Sequence, residues 1–252
     1  MKQSTQISAL IITKNEEKNI SSLLDNLSFA DEIIIVDSFS TDNTEKIAIE
    51  NDKVRFYKHH FENFSSQRNI ALQYATYPWI LFIDADERIS DKLKEEIFKV
   101  IKNPKADSYY FLRNYYYEGK PMYYTGLQSD KNIRLFKNGI GKYRGLVHEK
   151  LNTTGKTATL KNKLTHYSFT DYKTYKNKLS HYGKLKGKEK FENGAKYSFT
   201  KQVLHSSYNF FNRYFFRLGF LDGKKGLIVS YLISYSVWER YNEIKLLQQK
   251  KK

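Results

Sequence analysis

The chain has 252 residues, 40% of them hydrophobic, no cysteine and a formal net charge of +16. That length can bury a sizeable core, and the missing cysteines exclude disulfides, thiolate metal sites and cysteine nucleophiles. Residues 1–149 hold 21 Lys/Arg against 21 Asp/Glu and residues 150–252 hold 22 against 6, so the first part suits a site, and the basic, Tyr- and Phe-rich second part suits an anionic polymer or membrane surface.

The opening MKQSTQISALIITKNEE lacks the apolar run and cleavage site of a signal peptide, which sets the expectation of a cytoplasmic protein. Four apolar runs then read as strands: ISALII (7–12), EIIIVD (32–37), VRFY (54–57) and WILFID (79–84). After the first, Thr13 and Glu16 match a capping box, and Ile20, Leu23, Leu24 and Leu27 follow with helical spacing. SFSTDNTEKIAIE (38–50) and SSQRNIALQYA (65–75) read as further helices, and Ser90 or Asp91 offers an N-cap for ISDKLKEEIFKVI. Unbroken hydrophobic strands alternating with helices predict an α/β fold with a sheet covered on both faces, ligands binding beyond the carboxyl ends of the strands. Past residue 105 the aromatic runs DSYYFLRNYYY and NIRLFKN, with EGKP as a turn, predict that the sheet becomes mixed. From about residue 171 Lys, Tyr and Phe at irregular helical spacing predict a helical region, and the uncharged GLIVSYLISYSVW (226–238) falls short of the roughly 18 residues a membrane span needs.

The chemistry gathers where strands end. Asp84, Asp86 and Glu87 follow five apolar residues directly, and carboxylates so close repel one another unless a cation or donors sit among them. On an extended segment Asp84 and Asp86 would point to the same side. Such a pair suits Mg²⁺ or Mn²⁺ completed by phosphate oxygens, which makes a nucleotide diphosphate the natural third party. Asp37 ends the second run and is either an acceptor for a ligand or an N-cap for the helix expected near Ser40.

The ordered series ALIITKNEEKNI, DEIIIVDSFSTDNT, FSSQRNIAL and WILFIDADE resembles family 2 of the glycosyltransferases, enzymes of the GT-A fold, and within it the bacterial subgroup acting in lipopolysaccharide core synthesis. The likeness continues through RLFKN and GLVHEKL to LGFLDGKKG and so covers most of the chain. It implies a GT-A domain over residues 1–170, with a nucleotide-sugar half (1–105) and an acceptor half (106–170), followed by a basic aromatic helical tail (171–252). It also implies transfer of a sugar, with inversion, from a nucleotide diphosphate donor, UDP-hexose by preference, to a glycan or lipid-linked acceptor of the cell envelope. Asp37 matches the family's acceptor for the uracil N3–H, a task that suits a carboxylate because it only accepts. Thr13, Asn15 and Glu16 match the start of the donor contacts, although Thr13 and Glu16 serve equally as caps. Arg68, with Asn69 beside it, matches a basic position near the nucleotide sugar, where it contacts oxygens of the ligand or holds Asp84.

Asp86 matches the ligand of the divalent metal, with His148 and His166 as candidates to complete its shell or touch the diphosphate. The resemblance assigns the general base to Glu149, with Asp130 as the alternative. Other members of the wider family carry Glu-Asp where this chain has His148-Glu149. The tail, densest in FFNRYFFRLGF (210–220), is expected to bring the enzyme to the inner face of an anionic membrane, or to fold as a helical layer with aromatic residues inside. Two other classes fit less well. Nucleic-acid binding accounts for the tail but not for acids after strands, and a nucleotidyltransferase would show a Gly-rich loop where ITKNEEKN has no glycine.

Overall fold

The computed structural model describes residues 5–145, 149–169 and 171–251. Its contacts divide the chain into two units, Met1–Arg113 with Lys131–His166, and Asn114–Asp130 with Tyr167–Lys252.

In the first unit β1 (Ile7–Thr13), β2 (Glu32–Asp37), β3 (Val54–Lys58) and β4 (Trp79–Phe82) are the four anticipated strands. They pair in parallel, with Thr13 opposite Asp37 and Leu10 opposite Phe82. β4 is hydrophobic throughout, and β1 and β2 are so except at Ser8, Thr13, Glu32 and Asp37, because both faces are covered. Ile7, Ala9 and Ile11 of β1 and Ile33 and Ile35 of β2 pack with Ile20 and Leu23 of α1 (Glu17–Asn26), its C-cap Leu27, and Leu93, Ile97 and Ile101 of α4 (Asp91–Lys102). Leu10, Ile34, Val36, Ile80 and Phe82 pack on the other face with Ala71 of α3 (Phe64–Tyr74). The short α2 (Thr44–Ile49) lies between β2 and β3.

The sheet turns mixed after α4, as anticipated. β8 (Lys131–Lys137) runs antiparallel to both β4 and β6 (Ser108–Tyr117), and the order is β3-β2-β1-β4-β8-β6-β12-β5, with β5 at Glu87–Arg88 and β12 at Leu164–Phe169. β11 (Thr157–Thr159) adds to β6, while β9 (Gly141–Arg144) and β10 (Lys150–Thr153) form a separate hairpin.

Three local expectations are corrected. The capping box does not form: Thr13 is the last residue of β1 and its hydroxyl donates to Asp37, while Glu16 is itself the N-cap of α1 and makes no side-chain cap. Asp37 caps no helix, since α2 starts at Thr44 with Asn43 before it. Asp84 and Asp86 do not lie on an extended segment, because the chain turns at Ala85 and Asp86, with the Glu87 N–H donating to the Asp84 carbonyl at 3.0 Å. A tight turn abolishes the period of two that would aim both carboxylates alike. Ser90 does cap α4, accepting from the Leu93 N–H.

In the second unit Tyr115–Tyr117 pair with β7 (Lys120–Met122) across the EGKP turn, where Glu118 and Gly119 take positive φ. The basic region is helical: α5 (Tyr172–Glu192), α6 (Phe199–Phe211), a π-helical segment Asn212–Phe216 and α7 (Gly223–Lys250). Tyr115, Tyr117, Tyr175, Val229 and Leu232 make one core, and Val237, Tyr241 and Ile244 another. Gly183 and Gly187 admit the backbone of α7 so closely that an added Cβ would lie 2.4 Å from the Ser236 carbonyl oxygen and 2.6 Å from that of Arg240. Among the described residues no helix is long and apolar enough to cross a membrane.

Candidate active site

The carboxyl ends of β1, β2 and β4 present the candidate residues of the first unit. Asp37 is fully buried. One of its oxygens accepts from the Thr13 hydroxyl at 2.8 Å and the Ser40 hydroxyl at 2.5 Å, and the other from the Ser40 N–H at 2.7 Å. A carboxylate offers about four acceptor sites, so one remains. Asn15, at φ 56°, receives the Thr41 N–H on its side chain and donates its own N–H to Ser40. The Glu16 N–H donates to the Thr44 hydroxyl and its carboxylate accepts from Asn19. These bonds lace the loop after β1 to the loop after β2. Lys14 adds to them by donating to the Ser38 and Phe39 carbonyls. At the tip Phe39, at φ 58°, stacks on His60 with centroids 4.3 Å apart. A bulky aromatic side chain in the left-handed region is a strained placement.

The acids of the β4 turn divide between two environments. Asp84 faces three guanidiniums: Arg68 donates to one oxygen at 2.7 Å, Arg134 donates to the other, and Arg113 lies 3.7 Å away. Glu87, fully buried, accepts from the Asp84 N–H at 3.0 Å and pairs with Arg134 at 2.7 Å and Arg113 at 2.9 Å. Arg68 completes the cluster by donating its Nε to Glu149 at 2.6 Å. The buried Arg68 and Arg134 and the partly buried Arg113 balance three carboxylates in charge, as burial of ions requires. Burial pushes the Asp84 carboxyl up, but Arg134, Arg68 and Arg113 override it and hold it well below the usual carboxylate range. Burial pushes the Tyr143 phenol to about 12, so it stays neutral beside this cluster. The Arg68 guanidinium also lies over the rings of Phe82 at 4.4 Å and Tyr143 at 5.5 Å. Its Nη1 is buried without a hydrogen-bond partner among the described residues.

Arg68 thus holds Asp84, one of the two roles anticipated for it. Asn69 exchanges hydrogen bonds with the backbone of Tyr143, donating to its carbonyl at 3.0 Å and accepting from its N–H at 2.8 Å, and so fixes β9 to α3. Glu87 was expected only as one of the three crowded acids, while Arg113 and Arg134 went unanticipated. Their sequence signal is a lone charge inside a strand that is otherwise apolar or aromatic, which demands a buried partner.

Asp86 has a histidine beside it. Its carboxylate lies 3.1 Å from His166 Nε2, because β12 pairs antiparallel with β5 and sets His166 opposite Glu87. A carboxylate oxygen beside an imidazole nitrogen is a donor pair that Mn²⁺ or Mg²⁺ accepts when phosphate oxygens and waters complete the shell. Among the described residues no group of three or more His, Cys, Asp or Glu gathers for a metal, and His148 lies outside the described residues. Asp130 belongs to the second unit, where it accepts from the Tyr115 hydroxyl at 2.6 Å.

Comparison with known proteins places these observations. Residues 8–180 match the model of glycosyl transferase family 2. The lipopolysaccharide core biosynthesis glycosyltransferase LpsC of Rhizobium meliloti (strain 1021) is 26% identical over 250 residues, 93% of each chain. An uncharacterized glycosyltransferase of Rickettsia bellii (strain RML369-C) is 28% identical over 256 residues, 96% of this chain and 87% of that one. Among solved structures, S. aureus TarS 1-349 in complex with UDP-GlcNAc aligns with 97% of this chain and 92% of its own at a TM-score of 0.48 and 14% identity.

Proposed function

This chain belongs to glycosyl transferase family 2, and from that premise we propose that it moves a hexose, with inversion, from a UDP-linked donor to a glycan or lipid-linked acceptor in assembly of lipopolysaccharide or a related envelope polymer. It is a glycosyltransferase with the helix-flanked mixed sheet of the GT-A fold. The observation that carries the donor assignment is the division of labour at the end of β4: Asp84 is locked by arginines while Asp86, two residues on, faces His166.

Residues 1–105 supply the donor side. Asp37 offers its remaining acceptor site to the uracil N3–H, with Thr13 and Ser40 fixing the carboxylate. Asn15 and Glu16 hold the two loops that frame the nucleotide. Asp86 and His166, joined by His148, would hold a divalent ion. When bound, that ion supplies positive charge to the departing diphosphate. The arginine cluster keeps the β4 turn rigid, so Asp86 needs no reorganisation when the donor arrives. Glu149 takes the proton from the attacking hydroxyl through Oε2, while Arg68 orients it through Oε1. Attack opposite the leaving group inverts the anomeric carbon. LpsC is named for lipopolysaccharide core biosynthesis, and its match along nearly the whole chain supports an acceptor of that class.

The test incubates the full chain with a panel of nucleotide sugars and Mn²⁺, follows nucleoside diphosphate release, and reads the product anomer by NMR with core oligosaccharide as acceptor. Release confined to one UDP-hexose, with an inverted product, supports the reading. Turnover of a different nucleotide, or retention of configuration, overturns its donor or stereochemical part.

A further inference from the structure

On α6 the ordinary arrangement of side chains is inverted. The residues packed against α7 are polar: Gln202 donates to the Trp238 carbonyl at 3.2 Å and to Asn242 at 2.9 Å, and the Ser206 carbonyl accepts from the Ser234 hydroxyl at 2.5 Å. The apolar residues lie on the opposite side. Leu204, Tyr208, Phe211 and Phe215 recur at i, i+4, i+7 and i+11, and together with Phe216 they are between 49% and 79% exposed. The stripe continues across the π-helical segment, whose Arg217 N–H reaches the Asn212 carbonyl at 2.8 Å, and the Phe211 and Phe215 rings stack 5.8 Å apart. Contiguous exposed apolar surface marks a place where something docks.

Its charge identifies the partner. Between residues 195 and 231 stand six Lys or Arg and a single acid, Asp222, whose two oxygens accept the Tyr123 and Tyr124 N–H groups. Lys196, Lys201, Arg217 and Lys224 of this region are exposed. The same face of a second copy would set cations against cations with Asp222 as the sole acid of the region, whereas an anionic surface complements both the charge and the rings. Tyr175 and Tyr241 of this unit are core residues and lie outside the face.

We propose that the face formed by α6 and the π-helical segment seats in the interfacial region of an anionic phospholipid bilayer, with its rings among the acyl-chain ends and its cations at the headgroups. This seating is independent of the reaction assigned above. In flotation of the full chain with phosphatidylcholine vesicles with or without phosphatidylglycerol, the protein rises with the anionic vesicles and is released by salt. Phe215→Ser/Phe216→Ser weakens that partition by about tenfold or more, and Lys201→Glu/Lys224→Glu weakens it for anionic vesicles specifically. All four side chains are exposed, so circular dichroism and donor turnover stay at wild-type levels. A wild-type chain that ignores anionic vesicles, or a serine variant that binds them equally, overturns the proposal. Self-association in light scattering that the serine variant abolishes, without vesicle binding, reassigns the face to a second copy.

Discussion

Arg134→Met removes the guanidinium that bridges Asp84 and Glu87 while keeping most of its volume. Breaking a buried ion pair from one side costs about 3–5 kcal/mol. Glu87 keeps Arg113 and the Asp84 N–H, and Asp84 keeps Arg68, so the lower end, about 3 kcal/mol, applies. At about 2–4 °C per kcal/mol for a chain of this size, the melting temperature falls by about 6–12 °C. The control is Arg55→Met, whose pair with Glu32 at 3.2 Å is 43% exposed on the arginine side and contributes at most about 1 kcal/mol. Acid titration gives a second reading. The folded Asp84 carboxyl sits below its unfolded value, so its stabilisation is complete above about pH 4 and is lost as pH falls toward the depressed folded value. Without Arg134 the depression shrinks and the acid limb flattens. Urea and thermal unfolding from pH 7 down to pH 2 measure both effects. A loss no larger than that of Arg55→Met, with an unchanged acid limb, would refute the claim that this cluster rigidifies the β4 turn.

Three further outcomes follow from the same geometry. Glu149→Gln lowers kcat by about 100-fold or more and leaves donor affinity, measured by calorimetry, unchanged; Asp130→Asn producing that loss instead would move the base to Asp130. Gly183→Ala and Gly187→Ala each force a Cβ against an α7 carbonyl, costing about 1–3 kcal/mol of overpacking against a helix-propensity gain of up to about 1 kcal/mol. Urea midpoints therefore fall for both, and a midpoint that rises would deny the close α5–α7 approach. Phe39→Gly relieves the left-handed strain yet removes the stack on His60, so stability rises slightly while affinity for a uridine nucleotide drops if the pair flanks the base; unchanged affinity would make the stack a loop brace alone.

The strands and the α1 stripe were legible from pattern: ISALII, EIIIVD and WILF are apolar apart from Ser8 and the terminal acids Glu32 and Asp37, and the sheet buries them on both faces. Ser90 was legible as a cap because an N-cap acts on residues three positions away. The arginine cluster was not, since Arg134 and Glu87 are 47 positions apart and no local rule pairs them. Thr13 and Glu16 matched the spacing of a capping box, but Asp37 across the sheet competed for the Thr13 hydroxyl and β1 extended through Thr13. The D-x-D spacing carried no information about the turn that separates its two carboxylates. In α6, helical spacing of apolar residues was visible, but periodicity alone does not say whether a stripe faces a core or the outside.

The central claim is that Asp86 and His166 hold a divalent ion that in turn holds a diphosphate. Calorimetric titration of UDP into the full chain, with and without Mn²⁺, tests it most directly when repeated on Asp86→Asn. The account predicts tight binding to the wild-type chain only with Mn²⁺, and weak binding to Asp86→Asn under both conditions. Equal UDP affinity with and without the metal, or a variant that keeps the Mn²⁺ enhancement, would contradict it.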